Sequence, residues 1–446
     1  MIFKRKIYSK ILQWKKENDG KSALLIEGPR RVGKSTIVEE FAKREYKSYI
    51  LIDFNKVSND IKDLFEDLLD LDHIFLYLQT VYKVSLHTRQ SVIVFDEVQK
   101  CPNARQAIKY LVEDGRYDYI ETGSLISIKK NTQKITIPSE EDRIFMNPMD
   151  FEEFQWALGN KVSYEMLQKF WKGKMPLDNL HRTMMREFRL YMLIGGMPQA
   201  VDTYIQSNDF RDVDRIKRRI INLYKDDFLK IDPSGKISDI FISIPSQLSS
   251  NAKKFYSNAV IGQQTDDKLT EIITSLSESR TVNVCYKCQD PNIGMNLHKV
   301  SSEYKLYVCD TGLFITMVYW DKDYTDNILY QKLLSDKLAA NLGYIYENLV
   351  AQILVSFGYN LFYYIWKKDD KHYYEIDFII PDDFKVAPIE VKSSNYSTHA
   401  SLDAFINKFS SRIKNSYLIQ PKEYRHDGNI SIIPPYFLPF ALEGGR

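Results

Sequence analysis

The chain has few cysteines and no long apolar run, and each shortage excludes a class of protein. Its 446 residues include four cysteines, which do not form the disulfide framework of a small secreted domain. Cys285 and Cys288 have metal-type spacing, but a structural zinc site usually needs two such pairs. No apolar stretch approaches the ~20 residues of a membrane-spanning helix, and the basic N-terminus lacks a signal-peptide core. We therefore expect a cytoplasmic protein with reduced thiols and no membrane partner.

Net charge is also nearly absent. The sequence has 61 basic and 59 acidic residues, which gives a formal charge of +2. This balance requires neither a nucleic acid nor a membrane partner, although it leaves room for a local basic patch. The apolar fraction of 44% is ordinary for a folded protein, and a chain of this length is expected to hold roughly two to four domains.

The most informative segment that is present runs from Gly28 to Thr36. It reads Gly-Pro-Arg-Arg-Val-Gly-Lys-Ser-Thr and completes the phosphate-binding pattern G-x-x-x-x-G-K-[ST]. An apolar, strand-like run precedes it and a helical pattern follows it, as this motif requires. We expect its backbone N–H groups to surround phosphates, Lys34 to contact the β- and γ-phosphates, and Ser35 to bind Mg²⁺. The predicted nucleotide-binding residues are Gly28, Pro29, Arg30, Arg31, Val32, Gly33, Lys34, Ser35 and Thr36.

A second strand carries the acidic residues that such a site needs. The segment Ser91–Glu97 is apolar until it ends in Asp96 and Glu97. We expect Asp96 to hold Mg²⁺ and Glu97 to orient and polarise the attacking water as a catalytic residue.

Further strand candidates complete a sheet. Lys47–Asp53 and Tyr117–Ser124 are of strand type, and Arg143 begins another candidate strand. Strands alternating with helices predict an α/β fold with a parallel sheet covered on both faces. Ligands of such sheets bind outside the carboxyl ends of the strands, where Ser124 is expected to reach the γ-phosphate or the water.

These segments resemble the AAA-type P-loop ATPases of a prokaryotic family in which a G-x-R-R-x-G-K-[ST] loop, a D-E strand and a T-G-S strand recur. The resemblance implies a P-loop NTPase fold with ATP and Mg²⁺ as ligands. It matches Ser124 to the polar strand end and Arg143 to an arginine before the last strand of the sheet. Whether Arg143 acts on its own ATP or on that of a neighbour in a homo-oligomer stays open.

The middle of the chain predicts two further domains. Helical spacing dominates residues 156–235, which we interpret as a helical lid. Residues 236–330 show three short helices and then two strands, the outline of a winged helix, with Lys253 and Lys254 before its second helix. Winged helices bind DNA or other proteins, and the fold alone does not decide between them.

The last third carries a second group of chemical residues. Glu347 lies in an amphipathic helix, Asp377 in a strand, and Glu390 and Lys392 in the next strand. Glu390 and Lys392 share a face because side chains alternate along a strand. Two carboxylates and a lysine can hold Mg²⁺ and position water for attack on a phosphodiester. The alternative is ordinary strand alternation with a surface salt bridge.

This arrangement resembles the PD-(D/E)XK nuclease fold and the C-terminal DUF4143 domain that accompanies the ATPase family. The resemblance implies catalytic roles for Glu347, Asp377, Glu390 and Lys392, with Asp377 and Glu390 as metal ligands. The predicted domains are therefore an ATPase domain at 1–155, a helical lid at 156–235, a winged helix at 236–330 and a nuclease-like α/β domain at 331–446.

Two functions remain open from the sequence. In the first, an ATPase couples its nucleotide cycle to a nuclease-like domain that acts on DNA. In the second, the protein is an ATP-dependent switch or scaffold, and its winged-helix and C-terminal domains only bind DNA or protein.

Overall fold

The computed structural model describes residues 1–68, 70–123, 139–250, 254–321, 327–335, 343–393 and 399–443. Ser124 and Lys253, which the sequence analysis singled out, lie outside these ranges. The chain divides into two compact units. The first is Met1–Asn147 with Glu278–Arg280, and the second is Pro148–Ser277 with Thr281–Arg446.

The first unit is built on a five-stranded sheet in which all strand pairs are parallel. The strand order is β2-β3-β4-β1-β5. The strands are β1 (Ala23–Glu27), β2 (Ser48–Asp53), β3 (Ser91–Asp96), β4 (Asp118–Gly123) and β5 (Glu141–Phe145). The helices are α1 (Ile7–Asn18), α2 (Lys34–Glu45), α3 (Asn59–Asp63), α4 (Leu71–Tyr82) and α5 (Pro102–Asp114). This parallel sheet with its helices matches the predicted P-loop NTPase fold.

Helices cover both faces of this sheet, as the apolar strands require. Leu24 and Ile26 of β1 pack with Phe41 of α2 in one core. Leu25, which points to the opposite face, joins Leu111 of α5 in the other core. Every residue of β1, β3 and β4 is buried, which is typical of parallel strands covered on both faces.

The second unit begins with helices and ends in a mixed sheet. Its first helices are α6 (Phe151–Ala157), α7 (Val162–Lys172), α8 (Asn179–Ile194), α9 (Pro198–Ser207), α10 (Phe210–Ile231), α11 (Lys236–Ser249), α12 (Ser257–Ile261) and α13 (Asp266–Glu278). The remaining helices are α14 (Thr311–Val318), α15 (Asn327–Leu334), α16 (Gly343–Ser356), α17 (Ala400–Phe409) and α18 (Leu438–Glu443).

Eight strands form the sheet of the second unit, in the order β12-β13-β11-β10-β9-β8-β6-β7. They are β6 (Val282–Cys288), β7 (Lys299–Val308), β8 (Leu361–Lys367), β9 (Tyr373–Asp382), β10 (Lys385–Val391), β11 (Ser416–Ile419), β12 (Arg425–Asp427) and β13 (Ile430–Ile433). Strands β8, β9 and β10 form an antiparallel meander, and β11 runs parallel to β10.

The hairpin expected to be the wing of a winged helix is part of this larger sheet. Strands β6 and β7 pair in antiparallel fashion, as predicted. Strand β6 also pairs in parallel with β8, through Cys285 opposite Leu361. The sheet therefore crosses the predicted boundary at 330, and the boundaries at 235 and 330 both lie inside the second unit. A local pattern shows that a strand exists but not which distant strand pairs with its free edge.

The cysteines and the length of the apolar helices are two further properties of the structure. All four cysteines are free and buried. Among the helices in the described ranges, none is long and apolar enough to cross a membrane.

Candidate functional site

The loop between β1 and α2 is held tightly in the first unit. A Cβ on Gly28 would lie 2.4 Å from the backbone oxygen of Met146, so this position accepts no side chain without a backbone shift. Gly33 precedes α2 with a φ of 99°, in the left-handed region that favours glycine. The two glycines place the N-terminus of α2 beside the carboxyl end of β1, a geometry suited to binding phosphate.

Lys34 is buried at the start of α2. Its Nζ donates hydrogen bonds to the carbonyl oxygens of Gly28 at 2.9 Å and Pro29 at 3.0 Å, so the side chain lies along the loop. Burial lowers the pKa of Lys34 to about 8, although Glu97 and Asp96 act in the opposite direction. An anionic phosphate in the loop would favour the charged form of this lysine.

Two hydroxyl groups converge on one oxygen of Asp96. Ser35 Oγ donates to Asp96 Oδ1 at 2.6 Å, and Thr122 Oγ1 donates to the same oxygen. Carboxylate and hydroxyl oxygens are hard ligands of the kind that Mg²⁺ prefers. Ser35 and Asp96 therefore lie together as predicted, and their chemistry fits Mg²⁺ bound to ATP.

Thr122 is a site residue that the sequence analysis missed. Besides contacting Asp96, its Oγ1 accepts a hydrogen bond from the backbone N–H of Glu97 at 3.3 Å. The signal was available in the sequence, because Thr122 carries a hydroxyl at the carboxyl end of β4, although Ser124 was predicted instead.

Glu97 has an unusual backbone. Its φ is 57°, in the left-handed region that is uncommon for a residue other than glycine. Its side chain accepts a hydrogen bond from Gln99, which is buried. Glu97 is also near enough to Lys34 to raise the pKa of that lysine against the effect of burial.

Arg143 does not precede the last strand, so that expectation is wrong. It is the central residue of β5, opposite Leu25 of β1, because the strand begins two residues earlier at Glu141. Its guanidinium lies 2.7 Å from Glu141 Oε1 and 3.9 Å from Glu27 Oε1. Arg143 thus contacts Glu27, the residue directly before the phosphate-binding loop.

The C-terminal candidates converge in the second unit. Lys392 Nζ lies 2.7 Å from Glu390 Oε1, and Asp377 Oδ2 accepts the backbone N–H of Val391 at 2.7 Å. Burial alone would lower the pKa of Lys392, but Asp377, Glu390 and Glu347 outweigh it and raise that pKa. The four predicted residues therefore act on one another electrostatically.

Lys305 of β7 and Glu375 of β9 belong to the same cluster and were missed. Lys305 is buried, and its Nζ lies 2.5 Å from Glu375 Oε1 and 3.9 Å from Glu347 Oε2. A lysine between apolar residues of a strand was the available signal. It was hard to use because the pairing of β6 with β8 brings β7 into this sheet from a segment assigned to another domain.

Both predicted metal ligands of this cluster already contact other groups: Asp377 accepts the N–H of Val391, and Glu390 pairs with Lys392. Burial raises the pKa of Glu347 to about 7, with Asp377 and Glu375 adding to the effect and Lys305 opposing it. Within the described part of the chain, no three histidine, cysteine or acidic side chains are grouped so that they could hold a metal ion. The site predicted from the sequence has two carboxylates, Asp377 and Glu390, so a metal ion held by these two residues stays a prediction.

Three family models match separate parts of the sequence. Residues 20–155 match an AAA domain, residues 185–324 match a domain of unknown function (DUF8612), and residues 342–437 match a domain of unknown function (DUF4143). These matches assign an AAA domain to residues 20–155 and a DUF4143 domain to residues 342–437, and the parallel sheet of the first unit agrees with a P-loop NTPase fold. The AAA family implies nucleotide binding and usually Mg²⁺.

Similar solved structures are distant. A Walker-type ATPase of Pyrococcus abyssi is 17% identical with a TM-score of 0.43, and the alignment covers 71% of this chain and 96% of that one. The Orc1 protein of Aeropyrum pernix, solved in complex with DNA, is 11% identical with a TM-score of 0.31, covering 75% and 93%. None of the curated proteins compared with the sequence matches it.

Proposed function

We propose that the protein is a Mg²⁺-dependent ATPase. The observation that carries this proposal is the convergence of the Ser35 and Thr122 hydroxyls on one oxygen of Asp96, beside the buried Lys34. This combination supplies a phosphate loop, a lysine and a pair of metal-binding oxygens at the carboxyl end of one parallel sheet. Bound Mg²⁺ would neutralise charge on the phosphates of ATP.

Each residue of the proposed site then has a defined part in hydrolysis. The N–H groups of the loop and Lys34 bind the phosphates, and Ser35 and Asp96 hold the metal ion. Glu97 accepts a hydrogen bond from the attacking water and orients it toward the γ-phosphate. The backbone N–H of Glu97 donates a hydrogen bond to Thr122 Oγ1. This bond holds the backbone of Glu97 in place next to Asp96.

Separating ATP binding from hydrolysis tests this proposal. Glu97→Gln is expected to retain binding of a fluorescent ATP analogue but to lower the turnover number by about 10²–10⁴-fold, the usual contribution of general base catalysis. Lys34→Ala is expected to lose binding itself. Lys43→Ala is the matched control, because Lys43 lies on the same helix with an exposed side chain. Unchanged hydrolysis in Glu97→Gln would contradict the assigned role.

A second candidate function is phosphodiester cleavage of DNA by the C-terminal domain. The observation that favours it is the grouping of Glu347, Asp377, Glu390 and Lys392, together with an irregular register beside Asp377. Between Ile376 and Ile379, β9 has one more residue than the facing part of β8, and such bulges are common next to active sites. Lys392 would stabilise negative charge on the phosphate. Asp377 and Glu390 are the residues that would hold a divalent metal ion, which would polarise the attacking water.

The competing proposal is an ATP-dependent switch whose C-terminal domain only binds DNA or protein. It is supported by the ion pairs that Lys305 and Lys392 form with the carboxylates of the cluster. Plasmid cleavage with Mg²⁺ or Mn²⁺, with and without ATP, distinguishes the two. Cleavage that Glu390→Ala abolishes supports the nuclease, and loss of its ATP control in Lys34→Ala supports coupling. ATP hydrolysis without cleavage supports the switch.

A further inference from the structure

A basic groove in the second unit belongs to neither of these sites. It lies between α8, α9 and α15 and encloses about 650 Å³. Its lining includes Arg182, Arg186 and Arg189 of α8 and also Tyr204, Asn208 and Gln331. No aspartate or glutamate is found among the described residues that line it, so the charged side chains of these residues are all positive.

The three arginines form one stripe along α8. Their spacing of four and three residues places them on the same helical face, and seven residues of helix rise by about 10 Å. Arg182 and Arg186 are exposed, and neither has an ion pair or hydrogen bond with another described residue. A row of this length is better suited to a chain of phosphates than to one small anion. Guanidinium groups bind phosphates through two parallel hydrogen bonds.

An aromatic stack ends in the same groove. Tyr204 stacks on Phe210, with ring centroids 5.5 Å apart and planes at 27°. Phe210 stacks in turn on Tyr330 at 5.0 Å and 18°. The hydroxyl of Tyr330 accepts a hydrogen bond from the buried Lys217 at 2.9 Å, which fixes the inner end of the stack. Tyr204, the outer ring, is half-buried and lines the groove.

We propose that this groove binds single-stranded nucleic acid. Arg182, Arg186 and Arg189 contact successive phosphates, and a base stacks on Tyr204. Asn208 and Gln331 offer both donors and acceptors to the edges of bases. A positive groove combined with an aromatic platform is the usual means of binding single strands without sequence preference, since every base has a π-face. The proposal does not depend on the proposed enzymatic function, because its residues belong to neither the ATP site nor the carboxylate cluster.

The test is fluorescence anisotropy of the full-length protein with labelled oligo-dT and oligo-rU of about 12 nucleotides. EDTA is present, so metal-dependent cleavage does not consume the probe. Arg182→Ala/Arg186→Ala is expected to weaken binding by about tenfold or more at about 0.1 M salt, and to make the slope of log affinity against log salt shallower by about 1.4. Tyr204→Leu is expected to weaken binding by at least about fivefold without changing that slope.

Three control variants make the result specific. Arg219→Ala removes an exposed arginine of α10 that has no ion pair with another described residue, and it is expected to bind like wild type. Arg182→Lys/Arg186→Lys retains the charge and the salt slope, and Tyr204→Phe retains the stacking ring. ATP hydrolysis, measured in each variant, reports separately on the first unit and on folding.

Two outcomes would overturn the proposal. The first is equal affinity of wild type and Arg182→Ala/Arg186→Ala for both oligonucleotides. The second is full affinity in Tyr204→Leu combined with displacement of the probe by polyglutamate, since this result would assign the groove to an acidic protein segment.

Discussion

Removing the hydroxyl of Thr122 tests the hydrogen bonds of the proposed ATP site with little change in side-chain shape. Thr122 is fully buried, so Thr122→Val preserves the shape of the side chain while removing its oxygen. The substitution deletes a hydrogen bond to the Asp96 carboxylate and leaves the N–H of Glu97 without that acceptor. A hydrogen bond to a charged group contributes about 1.5–3 kcal/mol, which corresponds to about 10- to 150-fold in a rate or binding constant.

We therefore expect Thr122→Val to lower kcat/KM for ATP by at least about tenfold. The assay is steady-state ATP hydrolysis over a series of Mg²⁺ concentrations. Thr122→Ser is the matched control, because it restores the hydroxyl, and it should retain most of the activity. Equal activity of the valine and serine variants with wild type would refute the idea that Thr122 positions Asp96 and Glu97.

Three further predictions concern the phosphate-binding loop and the C-terminal carboxylate cluster. Gly28→Ala should abolish binding of a fluorescent ATP analogue, because the new Cβ would lie 2.4 Å from the Met146 carbonyl oxygen. Nucleotide affinity should fall as pH rises above about 8, because Lys34 of the nucleotide-free protein loses its proton there. The affinity of Lys34→Arg, measured over the same pH range, should lack this dependence. Glu347→Gln should stabilise the protein more at pH 8 than at pH 5, by about 2–3 kcal/mol in denaturant unfolding. The sign follows because a carboxyl with a folded pKa of about 7 contributes stability at low pH and loses it as pH rises through that value. An equal effect of Glu347→Gln at both pH values would contradict the raised pKa.

The contacts of the proposed ATP site were largely predictable because they depend on local sequence patterns. The loop from Gly28 to Ser35 is contiguous, and the acidic pair at Asp96 ends an unmistakable apolar strand. Parallel strands bring their carboxyl ends to one edge, so the meeting of Ser35 with Asp96 followed from the pattern. Thr122 was missed because Thr122 and Ser124 both carry hydroxyls in this part of the sequence, and a sequence does not show which one meets Asp96.

The C-terminal cluster was only partly predictable because it depends on distant pairing. Glu390 and Lys392 are two residues apart, so their ion pair follows from strand alternation. Lys305 reaches the cluster only because β6 pairs with β8, and no local pattern specifies that choice. Its positive charge beside Glu375 and Glu347 changes the chemistry expected of the acids.

The amino-acid composition does not predict the basic groove in the second unit. A net charge of +2 gives no sign of it, because acidic residues elsewhere balance its arginines. Only the packing of α8 against α9 and α15 shows that Arg182, Arg186 and Tyr204 line one cavity. Local charge on a folded surface is therefore a better guide to partners than the total.

The central claim is that the first unit hydrolyses ATP with Mg²⁺, and its most direct test is phosphate release by the purified full-length protein. We predict ATP-dependent phosphate release by wild type with Mg²⁺, none with EDTA, and none in Lys34→Ala or Asp96→Asn. Phosphate release that persists in Lys34→Ala, or its absence from folded wild type that binds ATP, would contradict the account.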